Sequence, residues 1–513
     1  MKLGSITVFC AMCMMLVVSL LLVLLESLRD HGLDFYAKLK AEAGADSVCA
    51  EFQPLLWQEY GLLALDGAYG TEHFSLDYVT ERLNEYVTKS CENESEISAY
   101  FGMDLFCLEL SESELTGYAL MTDENGELFL NYVAEREKED LALGVVENIY
   151  EIYEKSKLLE TSQDSFSETF DEARQMFESA KASKWREINA KAQAAETEEE
   201  EKAAWAEAAV FNASGIKTLE AIFGSIRNAQ TSGILQLILG DVSTVSGKNS
   251  IPLSRLKTRE KESGTMQYTE ELDWYKKALV VAYLREYFSN YTSPDAEHFL
   301  SYEMEYVLCG KGTEWENLEA ALNRILLVRE AANVCFLLQD SEKMQEAETM
   351  AKAVGLLIGE NPVAVKCIQT GLIGAWAFAE SVLDVRALVA GDKISLIKGK
   401  EEWMTDISQI LTVFGSQDKA KNCENGLGYV DYLAGQLFFS ANEDMAYRMM
   451  ETMELSLQMN VDYENCKMNQ MLIAIRYRLQ FESNPVFFSL MTIGDAYDGK
   501  FSFVKEAERS YIP

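Results

Sequence analysis

The alternation of apolar and polar positions changes character once, at Glu26. Ahead of it, Ile6–Leu25 (ITVFCAMCMMLVVSLLLVLL) carries no charge. About twenty residues at ~1.5 Å rise span roughly 30 Å, the hydrocarbon thickness of a bilayer. Behind it, Leu33, Tyr36, Leu39 and Ala43 recur at helical spacing, which predicts one helix leaving the membrane and continuing into water. A secretory signal has a shorter apolar core and a small-x-small cleavage site. Glu26–His31 offers no such site, so the pattern favours a retained anchor. A cut after Gly4, freeing Ser5, would leave that anchor in place.

Helical spacing extends from Asp34 to about Gly61, closing on Pro54–Gly61, and Leu62–Leu65 with Asp66-Gly67 predicts a short buried strand and turn. A helix is expected near 75–90 with Tyr78, Leu83 and Tyr86. Strands are expected over Leu105–Leu110 and Leu115–Met121, with Asp123–Gly126 supplying the turn. Leu141, Val145, Ile149, Ile152 and Tyr153 form the stripe of a further helix. Thr161–Ala229, dominated by Glu, Ala, Lys and Gln, reads as an exposed helical or coiled-coil hairpin with an acidic turn near Glu198. Gly233–Gly240 is a small buried element and Ser243–Gly264 a loop.

The second half is denser. Leu272, Tyr275, Leu279, Tyr283 and Tyr287 mark an amphipathic helix, and the T-x-x-E of Thr313–Glu316 is a capping box that starts another. Leu318, Leu322, Ile325 and Val328 continue it; Asp340 is expected to cap the next helix to about Ile358. Val363–Ala390 is strongly apolar, but Lys366 and Glu380 leave only about 13 residues between them, too few to span a bilayer, so a buried core helix is expected. Asn442 is expected to cap a helix through Met459. Ile473–Glu482 alternates apolar and polar residues as a half-buried strand does, and a second strand is expected around Phe501–Val504. The predicted class is mainly α with a modest β-sheet (α+β). The predicted layout is a leader (1–4), a transmembrane helix (5–25), a membrane-proximal region (26–160), a helical insert (161–230), a linker (231–270) and a C-terminal region (271–513).

Net charge changes the picture of partners. At −38, the chain is unsuited to nucleic acid or to an anionic lipid surface and suits a solvated ectodomain. Only Lys2 and the α-amino group precede the helix, whereas Arg29, Lys38 and Lys40 follow it. Long domains translocate largely regardless of such charge, so the expected topology is a single pass with the C-terminal domain outside the cell membrane. Cys10 and Cys13 lie in the apolar run. The remaining eight cysteines are scattered without framework spacing, and Cys107, Cys335 and Cys367 sit in apolar surroundings that predict buried thiols.

Candidate chemistry is sparse. His31, His73 and His298 show no metal-binding spacing. Gly310-Lys311-Gly312-Thr313 has half of a phosphate cradle but lacks the G-x-x-x-x-G-K-[ST] spacing, and a strand-to-helix turn with a capping threonine accounts for it. Asp123–Gly126 and Asp495–Gly499 are acidic turns without an EF-hand pattern. No nucleophile elbow or dinucleotide fingerprint occurs. The expectation is therefore no catalytic residues, no cofactor and no metal.

The start Gly4-Ser5-Ile6-Thr7-Val8-Phe9, running into a helix that ends Leu-Leu-Glu26-Ser27, resembles the N-termini of TadE/TadG-type pseudopilins of the tight-adherence (Flp) pilus system. The whole chain resembles an uncharacterised family of single-pass Gram-positive proteins, through Trp57–Gly67, Gly233–Ser243, Ser301–Gly312, Val385–Gly391, Gly426–Tyr432 and Met445–Met450. The resemblance implies an envelope protein that works with pilus or secretion components and is trimmed between Gly4 and Ser5. It departs from pilins at the fifth residue after that cut, where Phe9 replaces the usual glutamate, and this implies an anchor rather than a filament subunit. Two alternatives remain beside it: a membrane-tethered hydrolase or glycan-binding protein with an acidic pocket, and an acidic scaffold binding partners through Thr161–Ala229.

Overall fold

In the computed structural model the described residues are 3–101, 106–140, 172–211, 215–231, 233–252, 254–268, 271–358, 362–488 and 499–512. They are mainly helical with one four-stranded antiparallel sheet, as expected. The predicted stripe Leu141–Tyr153 and the turn Asp495–Gly499 lie wholly or largely outside the described residues. The chain divides into two compact units, each assembled from separate stretches: Met1–Glu139, Leu256–Leu272 and Met453–Pro513 form one, Asp140–Arg255 and Asp273–Thr452 the other.

The first unit is built on helix α1 (Leu3–Cys49). The apolar run and the amphipathic stretch are one unbroken helix, as the spacing predicts, but the buried face differs. Leu33, Ala37, Ala41, Ala45 and Val48 are buried, while Leu39 is 47% exposed and Ala43 is exposed. The helix also ends earlier than Gly61. Its successor α2 (Pro54–Tyr60) starts on Pro54, whose fixed φ and missing N–H suit a first helical position, and stops at Gly61 in the left-handed conformation.

Strand β1 (Leu65–Asp66) and helix α3 (Leu76–Phe101) follow. Alpha-helix α3 presents Val79, Leu83 and Val87 to α1, rather than Tyr78, which is exposed. A Cβ on Gly44 would overlap Val87, so glycine there lets the two helices approach. The expected pair of strands over 105–121 is a single strand β2 (Leu108–Leu120), carried past its irregular middle by register shifts at Leu110/Glu112 and Leu115/Gly117. The expected turn at Asp123–Gly126 leads into a helix, α4 (Glu127–Asp140).

The spine of the sheet is β3 (Met471–Ser483). It pairs with β2 along one edge, and with β1 and then β4 (Phe501–Ser510) along the other. Ile473, Ile475, Tyr477, Leu479 and Phe481 are buried while Arg476 and Arg478 are exposed, the alternation expected of a sheet with one covered face. The covering layer is α1 and α3, and Leu33 to Val48, Val79 to Val87 and Ile475 to Phe481 share one core.

The second unit is helical. Helices 172–193 (α5) and α6 (Glu198–Phe211) form the expected hairpin, but its turn is at 194–197 and Glu198 already belongs to α6. Four glutamates then open that helix, where the macrodipole favours negative charge. Lys184 and Lys191 of α5 pair with Glu207 of α6. Helices α7 (Gly215–Thr231), α8 (Ile234–Leu239), α9 (Trp274–Tyr287) and α10 (Glu303–Cys309) lead to α11 (Glu314–Gln339). Thr313 makes the expected capping box with Glu316. The loop before it joins two helices, however, and Gly310 ends α10 in the left-handed conformation at φ 60, so the expected strand-to-helix turn is corrected.

Helix α12 (Ser341–Ile358) is capped by Asp340, which accepts from the Glu342 and Lys343 backbone N–H groups. It packs with α11 against α13 (Pro362–Val389). The expected core helix is realised there, with every residue from Gly371 to Leu388 buried. Helices α14 (Ile410–Gly415), α15 (Tyr429–Phe439) and α16 (Asn442–Leu457) follow, and α16 belongs to this unit as far as Thr452; Asn442 is the first residue of α16 rather than its cap.

Candidate functional site

Two constellations of charged side chains stand out, one in each unit. The first lies where α1 stops being apolar. The window of α1 with the highest hydropathy is 0% buried, yet Glu26 and Arg29, immediately after it, are 1% and 6% exposed. Arg29 Nη1 donates to Glu26 Oε1 at 2.8 Å, and Arg29 Nη2 donates to Ser483 Oγ at 2.6 Å and to the Phe106 carbonyl at 2.8 Å. Ser483 Oγ donates to the same carbonyl at 2.7 Å. Glu26 Oε2 accepts from the backbone N–H groups of Phe487 and Phe488. The end of β3 and the chain just before β2 are thus clamped onto one turn of α1. Tyr36 stacks on Phe106 at 4.8 Å between ring centroids, extending the clamp by a further two turns.

The second constellation is at the centre of the helical unit. Arg329 and Asn333 stand one turn apart on α11; Glu380, Ser381 and Asp384 occupy one face of α13; and Lys398 comes from the following loop. Arg329 Nε and Nη2 donate to Asp384 Oδ2 at 3.0 and 2.8 Å. Its Nη1 donates to the Ser395 and Leu396 carbonyls and to the Tyr432 hydroxyl. Lys398 Nζ lies 2.5 Å from both Glu380 Oε1 and Asp384 Oδ1. Asn333 Nδ2 donates to Asp384 Oδ2 and Ser381 Oγ. Glu380 also accepts from Thr405, whose hydroxyl in turn accepts from Trp376 Nε1.

Two cations face two carboxylates, and Arg329, Glu380 and Asp384 are 0% exposed. Burial pushes the Asp384 carboxyl up, but the Arg329 and Lys398 charges overcome it and hold the group below the ordinary carboxylate range. The cluster is sealed and charge-balanced, and its chemistry is that of a fastener joining α11, α13 and residues 395–405. It presents no face to a substrate.

The other residues singled out from the sequence stay apart. Gly4 and Ser5 fall in the first turns of α1. His31 Nδ1 lies 2.7 Å from the Ser27 carbonyl oxygen, and His73 is exposed. His298 Nδ1 is 2.9 Å from Glu303 Oε2, which also accepts from Ser289. Gly310–Thr313 is occupied by its own turn: Asn317 Oδ1 accepts from the Lys311 N–H and its Nδ2 donates to the Thr313 carbonyl.

Among the cysteines, Cys309 and Cys466 are the buried ones, whereas Cys107, Cys335 and Cys367 are half-buried, which corrects the expectation. Burial pushes the Cys309 thiol up to about 11, far from a reactive thiolate. A groove of about 490 Å³ runs between α12 and α13, lined by Leu356, Pro362 and Val365 with Glu348, Lys352 and Lys366 at its edges. Among the described residues its lining has one carboxylate and no aromatic ring, unlike an acidic sugar-binding pocket.

Hidden from sequence reasoning were Arg29, Arg329 and Lys398. The only signal was indirect: Glu380 and Asp384 interrupt an apolar helix one turn apart, and buried carboxylates require cations.

The described residues thus define a mainly helical protein with one exposed, lipid-length N-terminal helix locked to an α+β unit. Residues 213–483, more than half of the chain, match a family of unknown function (DUF5702), and the chain belongs to that family. The matched stretch contains the whole Arg329–Asp384–Lys398 network and β3. No curated protein and no solved structure matches the chain.

Proposed function

We propose that this is a non-enzymatic, membrane-anchored extracytoplasmic protein that serves as an accessory, pseudopilin-like component of a Tad/Flp-type pilus or secretion apparatus. The observation that carries the anchor is the buried Glu26–Arg29 clamp directly behind an apolar run of which no described residue is buried. A cut at the end of that run, as for a secretory signal, would fall beside side chains that the fold encloses. A cut between Gly4 and Ser5 would leave both the apolar run and the clamp in place. The pilus assignment draws on the Gly4-Ser5-Ile6-Thr7-Val8-Phe9 start, and Phe9 in the position of the pilin glutamate favours an accessory over a filament subunit. The non-enzymatic reading is in keeping with the sealing of the Arg329–Asp384–Lys398 network, which leaves that network a structural task.

The test is to extract the native protein from membranes, determine its N-terminus by mass spectrometry and identify cross-linked partners. Ser5 as the first residue and co-purification with pilus-assembly components are the expected results. An intact Met1 with no pilus component captured would refute the pilus role.

A further inference from the structure

The clamp on α1 does more than join the helix to the sheet unit, because its position along the helix places other residues at a defined depth. Glu26 follows the last apolar residue by one position, and Arg29 by four, so they lie roughly 2–6 Å beyond the hydrocarbon edge along the helix axis. The polar headgroup layer is itself roughly 5–7 Å deep on each side. Whatever is hydrogen-bonded to Glu26 and Arg29 is therefore at headgroup level. Those partners are the backbone of Phe487 and Phe488 and the Phe106 carbonyl. Phe487 and Phe488 are half-buried, whereas the Phe106 ring stacks on Tyr36, farther along α1 from the membrane. On the turn of Glu26 and Arg29, Leu28 is 72% exposed. Aromatic residues are favoured at this level of a bilayer.

We propose that Val486–Phe488 form an interfacial foot, seated among the lipid headgroups beside the exit of α1, so that this unit rests on the membrane instead of standing off on a stalk. The proposal rests on the reading of Ile6–Leu25 as a retained span. Its occupant is the lipid interface, because the patch is continuous with the lipid-facing surface of α1. The foot and the helix share one hydrogen-bonded lock, so the depth of one sets the depth of the other.

The full chain, reconstituted in phosphatidylcholine vesicles, tests this. A spin-labelled amino acid is introduced singly at Phe488, at Val486 as a neighbouring alternative, at Leu16 on the apolar run, and at Val461, which is 80% exposed and on the same unit. Relaxation by oxygen, which concentrates in lipid, is compared with relaxation by a water-soluble nickel complex. The expected result is an oxygen-to-nickel ratio at 486 and 488 that lies between the high value at Leu16 and the low value at Val461. A ratio at both foot positions equal to that at Val461, with Leu16 still high, would overturn the foot and leave the anchor standing. A low ratio at Leu16 would overturn the anchor and the foot with it.

Discussion

Removing one carboxylate from the sealed network should be far more damaging than removing a balanced pair. Asp384 accepts two bonds from Arg329 and one from Asn333 and lies 2.5 Å from Lys398 Nζ. Asp384→Leu leaves three ionic groups, Arg329, Lys398 and Glu380, with one uncompensated positive charge at a site with no solvent access. Stranding such a charge costs about 3–5 kcal/mol. Arg329→Met leaves the opposite imbalance and should cost a similar amount. In the double variant, Lys398 and Glu380 remain as a matched pair at 2.5 Å. The double variant should therefore cost no more than either single change, a coupling of about 3 kcal/mol in a double-mutant cycle.

The assay is urea denaturation followed by intrinsic fluorescence, to which Trp376 and Trp403 beside the network contribute. The depressed carboxyl of Asp384 adds a sign: its contribution is present at neutral pH and is lost as pH falls through and below the ordinary carboxylate range. Additive costs, or single changes costing under about 1 kcal/mol, would refute the claim that these charges act as one buried, balanced unit.

Three further outcomes follow from other groups. Glu305 is fully buried; burial pushes its carboxyl up to about 7, against the bonds it accepts from the Tyr291 N–H and the Tyr429 hydroxyl. Since the folded value lies above the ordinary 4.5, stability should fall as pH rises from about 4.5 to about 7, by up to about 3 kcal/mol. Glu305→Gln should remove that slope from the difference between variant and wild-type pH–stability curves. Thr313→Ala deletes the hydroxyl that accepts from the Glu316 N–H and should cost about 1 kcal/mol in urea denaturation. Glu26→Ala removes the acceptor of the Phe487 and Phe488 N–H groups, so hydrogen–deuterium exchange should speed up in a peptide covering 484–488, and unchanged protection there would show the clamp to be dispensable.

The legible parts of the fold were those whose cause is local. The strand over Ile473–Glu482 shows its period because one face meets the helices and the other meets solvent. Thr313–Glu316 closes a capping box within four residues, and α13 announces burial by composition alone. The misread face of α1 has a physical reason. Where α1 meets α3 the buried positions are Ala37, Ala41, Gly44 and Ala45, small side chains chosen for close approach, and hydropathy gives them less weight than the neighbouring Tyr36 and Leu39. Strand β2 reads as two strands in the sequence because its irregular pairing breaks the period of 2 that marks a strand, although the ladder to β3 continues through the shifts. The charged sites were harder still. Arg329 is 55 residues from Asp384, and Arg29 is 454 residues from Ser483, so no spacing rule could join them. A carboxylate pair at Glu380 and Asp384 inside an apolar helix does state that cations must arrive, because two buried negative charges a turn apart are untenable alone. Which cations arrive is decided by how α11 and the 395–405 loop pack on α13, and that is a property of the assembled fold.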